Sequence, residues 1–164
     1  MTIDLDLIKR LGEKNRDSNF RFRSLLKGQD SRKIDNIVHQ LYQDYSSKID
    51  CTKCGNCCTK LKPLIHKKDI LVLAKIMNQS SIAFKSEYIM TDSDNDMFFK
   101  HLPCTFLKDN KCTIYDSRPL DCRSFPHLHK KEFISRLFGV IDYYSICPIV
   151  FNVFEDLKTK LYYR

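Results

Sequence analysis

The sequence is poor in the residues that make tight turns, and it has no long apolar run. Only 4 glycines and 5 prolines are spread over 164 residues. All-β folds need turn residues at short intervals, so this scarcity argues against a turn-dense β protein. The longest apolar stretch, residues 146–151, is far shorter than the ~20 residues that a membrane-spanning helix needs. We therefore expect a mainly helical protein without a membrane span.

The sequence also lacks a secretion signal and the common nucleotide and hydrolase motifs. Residues 1–6 alternate charged and apolar side chains instead of forming an apolar signal core, so we predict a cytoplasmic location. Walker, G-x-G-x-x-G and G-x-S-x-G patterns are missing. The aspartates at 92, 94 and 96 resemble the start of a calcium loop, but Met97 and Pro103 stand where that loop needs Gly and Glu. We therefore exclude a calcium site of that type.

The formal net charge is +8, which by itself would suggest an acidic partner such as nucleic acid. That count treats the cysteines as neutral. Cysteines must lose their protons to bind metal, so bound thiolates would cancel part of the positive charge. We therefore prefer a solvated basic surface and do not predict a nucleic acid partner.

Apolar residues at three- and four-residue spacing predict several helices. Asp30 and Ser31 can cap the clearest of them, and Ser80 or Ser81 can cap another. The predicted helices cover residues 32–48, 67–78 and 81–88, and a terminal helix begins at Pro148. Residues 132–140 fit either a strand or a short helix, and this choice stays open.

A short hairpin is predicted near residue 110. Two apolar runs, 105–107 and 112–115, flank a four-residue polar loop. Asp116 and Ser117 then offer a cap for a short helix. The expected fold class is therefore mostly α with a short β-hairpin, a small α+β single domain centred on metal. Residues 1–30 are predicted to be an N-terminal extension of short helices, and residues 31–164 the cysteine-rich domain.

The main chemical signal is the run Cys51-Thr52-Lys53-Cys54-Gly55-Asn56-Cys57-Cys58. In a reducing compartment such a cluster indicates metal or redox chemistry more often than disulfides. Two thiolates two residues apart can bind one metal ion, and a glycine between the pairs permits the necessary turn. Adjacent side chains point in different directions, so we expect Cys57 and Cys58 to serve different metals or different roles.

The metal itself stays open at this point. Three cysteines at C-x2-C-x2-C can hold three corners of an iron–sulfur cube, with Cys147-Pro148 as a remote ligand. This chain departs from the bacterial ferredoxin pattern after the third cysteine. Structural zinc in one or two all-cysteine sites is the main alternative, because soft thiolates suit both metals. Disulfides are a further alternative that the predicted compartment disfavours.

Arginines and histidines near Cys122 could add to the site. Arg118 and Arg123 flank this cysteine and could stabilise thiolates or hold an anionic cofactor. Surface ion pairs with neighbouring aspartates are an equal alternative. His39, His127 and His129 could supply a nitrogen ligand, although we prefer an ordinary surface role for each.

These residues resemble the YkgJ-like cysteine-cluster family, whose members are described as zinc- or iron-chelating CxxCxxCC domains. The same block occurs in the flagellin lysine-N-methylase group. The likeness extends from about residue 48 to about residue 157 and rests on separate blocks: Cys51 to Cys58, Pro103-Cys104-Thr105-Phe106-Leu107, Cys112-Thr113-Ile114-Tyr115, Arg118 to Pro126 and Cys147-Pro148.

The resemblance implies a metal-chelating module that holds an iron–sulfur cluster, including the 4Fe–4S type, or zinc. It makes all eight cysteines candidate ligands: Cys51, Cys54, Cys57, Cys58, Cys104, Cys112, Cys122 and Cys147. A partner protein is a further expectation. The alternative that it implies is a protein lysine N-methylase-like enzyme, although no S-adenosylmethionine loop is recognisable. The sequence does not define a substrate.

Overall fold

The computed structural model describes residues 1–163 and is 59% helical with two small antiparallel strand pairs, which confirms the predicted small, mostly α fold of the α+β type. The helices are α1 (Leu5–Lys14), α2 (Arg16–Leu26), α3 (Ser31–Ser46), α4 (Cys51–Cys54), α5 (Asn56–Lys60), α6 (Lys67–Ile76), α7 (Ser81–Tyr88), α8 (Leu120–Ser124), α9 (Leu137–Tyr144) and α10 (Pro148–Lys160). The strands are β1 (Ile89–Thr91), β2 (Met97–Phe99), β3 (Leu107–Lys108) and β4 (Lys111–Cys112). No helix in the described part of the chain combines the length and apolarity needed to cross a membrane.

The chain divides into two compact units. Within the described residues, the helical unit comprises residues 1–50 and 126–163, and the cysteine unit comprises residues 51–125. Residues 1–30 contain α1 and α2, and both helices belong to the helical unit. The predicted domain boundary after residue 30 stays a prediction.

The core of the helical unit is built on α10, which packs against α3, α9 and α1. Pro148 occupies the first turn, where its missing N–H costs no hydrogen bond. The ring of Phe154 is fully buried and meets Phe22 edge-on at a centroid distance of 5.4 Å and Tyr144 at 5.7 Å. The apolar periodicity of α3 and α10 therefore predicted these helices correctly.

A buried aspartate fixes the loop that enters α9. The carboxylate of Asp35 on α3 accepts hydrogen bonds from the backbone N–H groups of Glu132 and Phe133, both at 2.9 Å. Arg136 donates to the carbonyl oxygen of His127 at 2.9 Å. A 3₁₀ turn at Ile134–Arg136 then leads into α9. The sequence left residues 132–140 undecided between a strand and a short helix, and the structure shows that this segment is helical.

In the cysteine unit, α6 and α7 pack together over a small apolar core. The side chain of Ser80 accepts from the Ala83 N–H and caps α7 as predicted. The core consists of Ile65, Ile70, Leu73, Ala74, Phe84, Ile89, Phe99, Phe106 and Ile114. Cys104 and Cys112 pack against its edge. Both candidate ligands are thus held by apolar neighbours.

The cysteine unit contains a second hairpin that the sequence did not predict. Strands β1 and β2 pair antiparallel with Ile89 opposite Phe99, and the side chain of Asp92 accepts from the Asp94 and Asp96 N–H groups in their connecting loop. Each strand has three residues, which is too short for alternating hydrophobicity to register in the sequence.

The predicted hairpin forms between β3 and β4, but its loop has two residues instead of four. Asp109 and Asn110 have φ values of 49° and 59°. Two consecutive residues with positive φ match the twist of the flanking strands, and Asp and Asn tolerate this conformation. The expected helix after this hairpin begins at Leu120, and its N-cap is Pro119 instead of the predicted Asp116 or Ser117.

Candidate metal centre

The Cys51–Cys58 run folds as two short helices, α4 and α5, with Gly55 between them. Gly55 has φ 60°, a conformation that costs other residues free energy. A Cβ at this residue would also lie 2.9 Å from the carbonyl oxygen of Asn110 in the β3–β4 loop. Only glycine therefore allows both the turn and the close approach to the hairpin that carries Cys112. The predicted role of Gly55 in the turn is confirmed.

The side chains of Cys57 and Cys58 were expected to point in different directions, but the structure places their sulfur atoms close together. Their Sγ atoms lie 3.9 Å from one another. Two thiolates on one tetrahedral zinc ion, with Zn–S bonds of about 2.3 Å, would have their sulfurs roughly 3.8 Å apart. The χ1 torsions of two successive helical residues can bring the sulfurs together even though their Cβ atoms diverge. The pair therefore has a spacing that suits a shared metal.

A backbone hydrogen bond joins this segment to the next cysteine. The N–H of Cys104 donates to the carbonyl oxygen of Cys58 at 2.8 Å, and the N–H of Leu107 donates to the carbonyl oxygen of Cys104 at 2.9 Å. In the following hairpin Leu107 pairs with Cys112. Main-chain hydrogen bonds therefore connect the segments that carry Cys58, Cys104 and Cys112.

Two aspartates position the helix that carries Cys122. Asp69, which is buried in the first turn of α6, accepts from the N–H of Leu120 at 3.1 Å and from the N–H of His66 at 2.9 Å. Asp121 accepts from the N–H of Leu64 at 3.0 Å. Sequence reasoning missed Asp69, because its partner Leu120 is distant in the chain. The acidic first turn of α6 signalled only a helix start.

The thiols of Cys58, Cys104, Cys112 and Cys122 form one electrostatic group. Burial, together with a smaller effect of neighbouring cysteines, raises the pKa of Cys104 to about 11 and that of Cys122 to about 12. Burial also raises the pKa of Cys112, to which Cys58 adds. In contrast, a hydrogen bond with Cys57 lowers the pKa of Cys58 to about 7. The four thiols are thus near neighbours, and three of them favour the protonated form.

Arg118 supplies positive charge to this group. Its guanidinium lies over the ring of Tyr115 at 3.4 Å from the centroid, and its Nε donates to the Tyr115 carbonyl oxygen at 2.7 Å. Its charge contributes to the lowered pKa of Cys58 and opposes part of the rise in the pKa of Cys112 that burial causes. Arg123 is exposed on α8. A cofactor-binding role for either arginine stays a prediction.

Not every candidate ligand joins the group. Cys51 is exposed, whereas Cys147 is buried in the helical unit at the N-cap of α10. His39 and His129 also belong to the helical unit, where His39 Nε2 lies 3.3 Å from the Lys130 carbonyl oxygen and the His129 ring lies 6.0 Å from that of Tyr42. Across residues 1–163, no three His, Cys, Asp or Glu side chains are already arranged to enclose a metal ion, and no disulfide is present.

The donor set fits a soft or borderline metal. The grouped side chains are thiols, and thiolates are the ligands that zinc and iron–sulfur centres prefer. Hard cations such as magnesium and calcium instead require oxygen ligands. A small cysteine-rich unit in which four chain segments bring thiols together is an architecture that suits a metal-chelating domain.

The family comparison agrees with this architecture. The CxxCxxCC family, described as "Putative zinc- or iron-chelating domain", matches residues 50–137. The match covers more than half of the chain, so the protein belongs to this family of metal-chelating domains, and the resemblance noted in the sequence is confirmed. The matched segment contains the whole cysteine unit but not Cys147. No curated protein and no solved structure matches the chain.

Proposed function

We propose that the protein binds an iron–sulfur cluster or zinc through cysteine thiolates of its cysteine unit. The observation that carries this proposal is the electrostatic group of Cys58, Cys104, Cys112 and Cys122, which come from α5, the segment before β3, β4 and α8. Segments that are distant in sequence would be joined by the metal. Metal binding would then contribute directly to the folding free energy of this unit.

The structural support for the candidate cysteine ligands differs from one cysteine to another. The four grouped thiols are the strongest candidates, and Cys57 follows because its sulfur lies 3.9 Å from that of Cys58. Cys54 and Cys51 share the same short helical segment and complete the set within the cysteine unit. Cys147 has the least support, because it lies outside both the family match and the cysteine unit.

The raised pKa values of Cys104 and Cys122 bear on how binding proceeds. Each thiol must release its proton before it can act as a ligand, so binding is coupled to proton release. Arg118 offsets part of the negative charge that several thiolates would accumulate. When bound, an iron–sulfur cluster would supply electron transfer or sensing, whereas zinc would supply structural support.

The deciding experiment is metal analysis of protein purified without oxygen. Iron and sulfide in stoichiometric amounts, together with visible absorption, would identify an iron–sulfur protein. Colourless protein with zinc as the metal would identify a zinc protein. Protein that folds without a stoichiometric amount of either metal would overturn the proposal.

Cysteine replacements test the ligands. Cys54→Ser and Cys122→Ser are expected to lower the bound metal per chain, and unchanged stoichiometry in both would remove them from the ligand set. Ser86→Ala on the exposed side of α7 is the matched control, because it alters a small side chain of the same unit without removing a thiol. The variant Cys147→Ser shows separately whether the helical unit contributes a ligand.

The lysine N-methylase-like alternative predicts that the metal-loaded protein binds S-adenosylmethionine. Calorimetry with that compound tests the alternative directly. Absence of binding to the fully loaded protein would remove it while leaving the metal-chelating proposal intact.

A further inference from the structure

Helix α6 of the cysteine unit is apolar on both of its sides. Its inner side contributes Ile70 and Leu73 to the core. Its outer side exposes Leu71 by 60%, Val72 by 49% and Ile76 by 43%. An amphipathic helix at a protein surface normally turns polar residues outward, so this exposure is the feature that calls for an explanation.

The exposed residues form one continuous strip. At 100° per residue, Lys68, Leu71, Val72, Lys75 and Ile76 fall on the side of α6 opposite the buried Ile70, Leu73 and Ala74. We call these five residues the α6 outer face. On the neighbouring α7, Ile82 is 85% exposed and Lys85 is also exposed. Helices α6 and α7 pack together, so these two residues lie on a neighbouring element of the same unit.

The charge on this face has one sign. Its two charged residues are Lys68 and Lys75, and Lys67 adds a third positive charge at the start of the helix. The single acidic residue of α6, Asp69, is buried and accepts hydrogen bonds from the N–H groups of His66 and Leu120. A ligand on this face would therefore meet aliphatic side chains bordered by lysines, with no carboxylate of α6 to repel it.

We propose that the α6 outer face docks an acidic amphipathic helix of a partner protein. Such a helix would bury its apolar residues against Leu71, Val72 and Ile76 and place its carboxylates beside Lys68 and Lys75. Charge complementarity argues against a second copy of this chain, because a symmetric contact would bring lysines against lysines.

A membrane surface fits the α6 outer face less well than a protein does. Faces that lie in a membrane interface commonly carry Trp, Phe or Leu in a broad apolar band. The chain has no Trp, and the five residues of this face include no aromatic side chain. The strip is also narrow, since three aliphatic residues alternate with two lysines along the helix.

A partner docked at this face would contact the helix that helps to position a candidate metal ligand. Asp69, on the inner side of α6, accepts from the N–H of Leu120 at the start of α8, which carries Cys122. A partner on the outer side would contact a helix that is directly bonded to this segment. The docking proposal does not require that Cys122 bind metal.

The test uses a synthetic peptide of about five helical turns, roughly 18 residues, with leucine on one face and glutamate on the other. A second peptide carries lysine in place of glutamate. Fluorescence anisotropy with the purified full chain is expected to show that the acidic peptide binds and the basic one does not. The affinity should fall as salt is added, because exposed charges contribute to it.

Two variants locate the contact. The double variant Leu71→Gln, Ile76→Gln should weaken binding of the acidic peptide at least about tenfold, since two apolar contacts are lost. The double variant Lys68→Glu, Lys75→Glu should lose the acidic peptide and bind the basic one. Ile3→Gln is the matched control, because Ile3 is 62% exposed in the helical unit, and this variant should bind like the unaltered protein.

Each alternative has its own readout. Circular dichroism checks that the variants, all at exposed residues, remain folded. The proposal is overturned by equal affinity for the acidic peptide in the Leu71→Gln, Ile76→Gln variant and the unaltered protein, or by no binding of that peptide. Binding restricted to phosphatidylglycerol vesicles would assign the face to membranes, and concentration-dependent association in sedimentation velocity that these variants abolish would assign it to self-association.

Discussion

The helical unit and the cysteine unit build their interiors in different ways. The helical unit buries a complete apolar face of α10 and fully buried aromatic rings such as Phe22, Tyr144 and Phe154. The cysteine unit has strands of two or three residues and several helices of four or five residues around a core of nine apolar side chains. Elements this short gain little stability by themselves, so small units of this kind often rely on metal or other cross-links.

The two units nevertheless share one device. Asp35 in the helical unit and Asp69 in the cysteine unit are both buried carboxylates that each accept from two backbone N–H groups. The first fixes the loop before α9, and the second fixes the start of α8 beside Cys122. A buried carboxylate that accepts from two backbone N–H groups therefore supports the core in one unit and the candidate metal centre in the other.

Removing the metal should produce the largest difference between the units. We expect a chelator, applied under anaerobic conditions, to lower the hydrogen-exchange protection of amides in residues 51–125 by at least about a hundredfold. Amides of α3 and α10 should change much less, because structural metal sites contribute on the order of 10 kcal/mol of apparent binding free energy to the unit that they join. Mass spectrometry resolves the two regions. Equal loss in both would show that the metal supports the whole chain.

Truncating a buried ring should give the next largest difference between the units, because only the variant in the cysteine unit should affect metal binding. Phe154→Ala is expected to lower the free energy of unfolding by about 3–5 kcal/mol, since the ring is fully buried. The same loss should appear with and without metal. Phe84→Ala in the cysteine unit removes an equally buried ring and should in addition weaken metal binding. Urea denaturation combined with metal titration measures both quantities, and metal affinity reduced equally by the two variants would contradict the comparison.

The two aspartates provide a matched pair of smaller effects. Asp69→Ala and Asp35→Ala should each lower the free energy of unfolding by about 2–3 kcal/mol, because each leaves two partly or fully buried N–H groups without their carboxylate acceptor. Only Asp69→Ala should also speed the transfer of metal to a chelator, by about tenfold, since α8 loses its anchor. Stopped-flow absorbance with a chromogenic chelator follows that transfer. Identical transfer rates in the two variants would show that Asp69 does not support the metal centre.

Two glycines should give the smallest effects, with opposite signs. Gly55→Ala should destabilise by about 1–2 kcal/mol because of its positive φ, and somewhat more because its Cβ would approach the Asn110 carbonyl oxygen. Gly139→Ala lies inside α9 with its nearest neighbour, Tyr143, at 3.8 Å, and it should stabilise by about 0.5–1 kcal/mol. Thermal unfolding measures both changes. A stabilising Gly55→Ala would show that the turn between α4 and α5 tolerates a side chain.

Helices with strong apolar periodicity were predictable from the sequence, and short elements were not. The spacing of apolar residues located α3, α6, α7 and α10, and the turn residues near Asp109 located the second hairpin. Strand β1 and its pairing with β2 were missed because three residues give no usable alternation. The loop of the second hairpin came out shorter than expected, because Asp109 and Asn110 adopt positive φ and let both flanking lysines pair.

For the candidate metal site too, some features were predictable from the sequence and others were not. The cysteine spacing was sufficient to identify the family and the metal-chelating class, because thiols in such a pattern have few other uses. It did not reveal that the Cys57 and Cys58 sulfurs lie 3.9 Å apart, since side-chain torsions decide that distance. It also gave no sign of Asp69, whose bond to the Leu120 N–H joins residues 51 positions apart.

The sequence by itself determined the candidate thiol ligands, the long helices and the need for glycine at residue 55. Local spacing and residue chemistry act within a few residues of one another, and they can therefore be read directly along the chain. Only the tertiary structure decided which thiols become neighbours, how burial raises the pKa of Cys104 and Cys122, and which side of α6 faces outward. Those properties depend on burial and on contacts between distant segments, which arise only when the chain has folded.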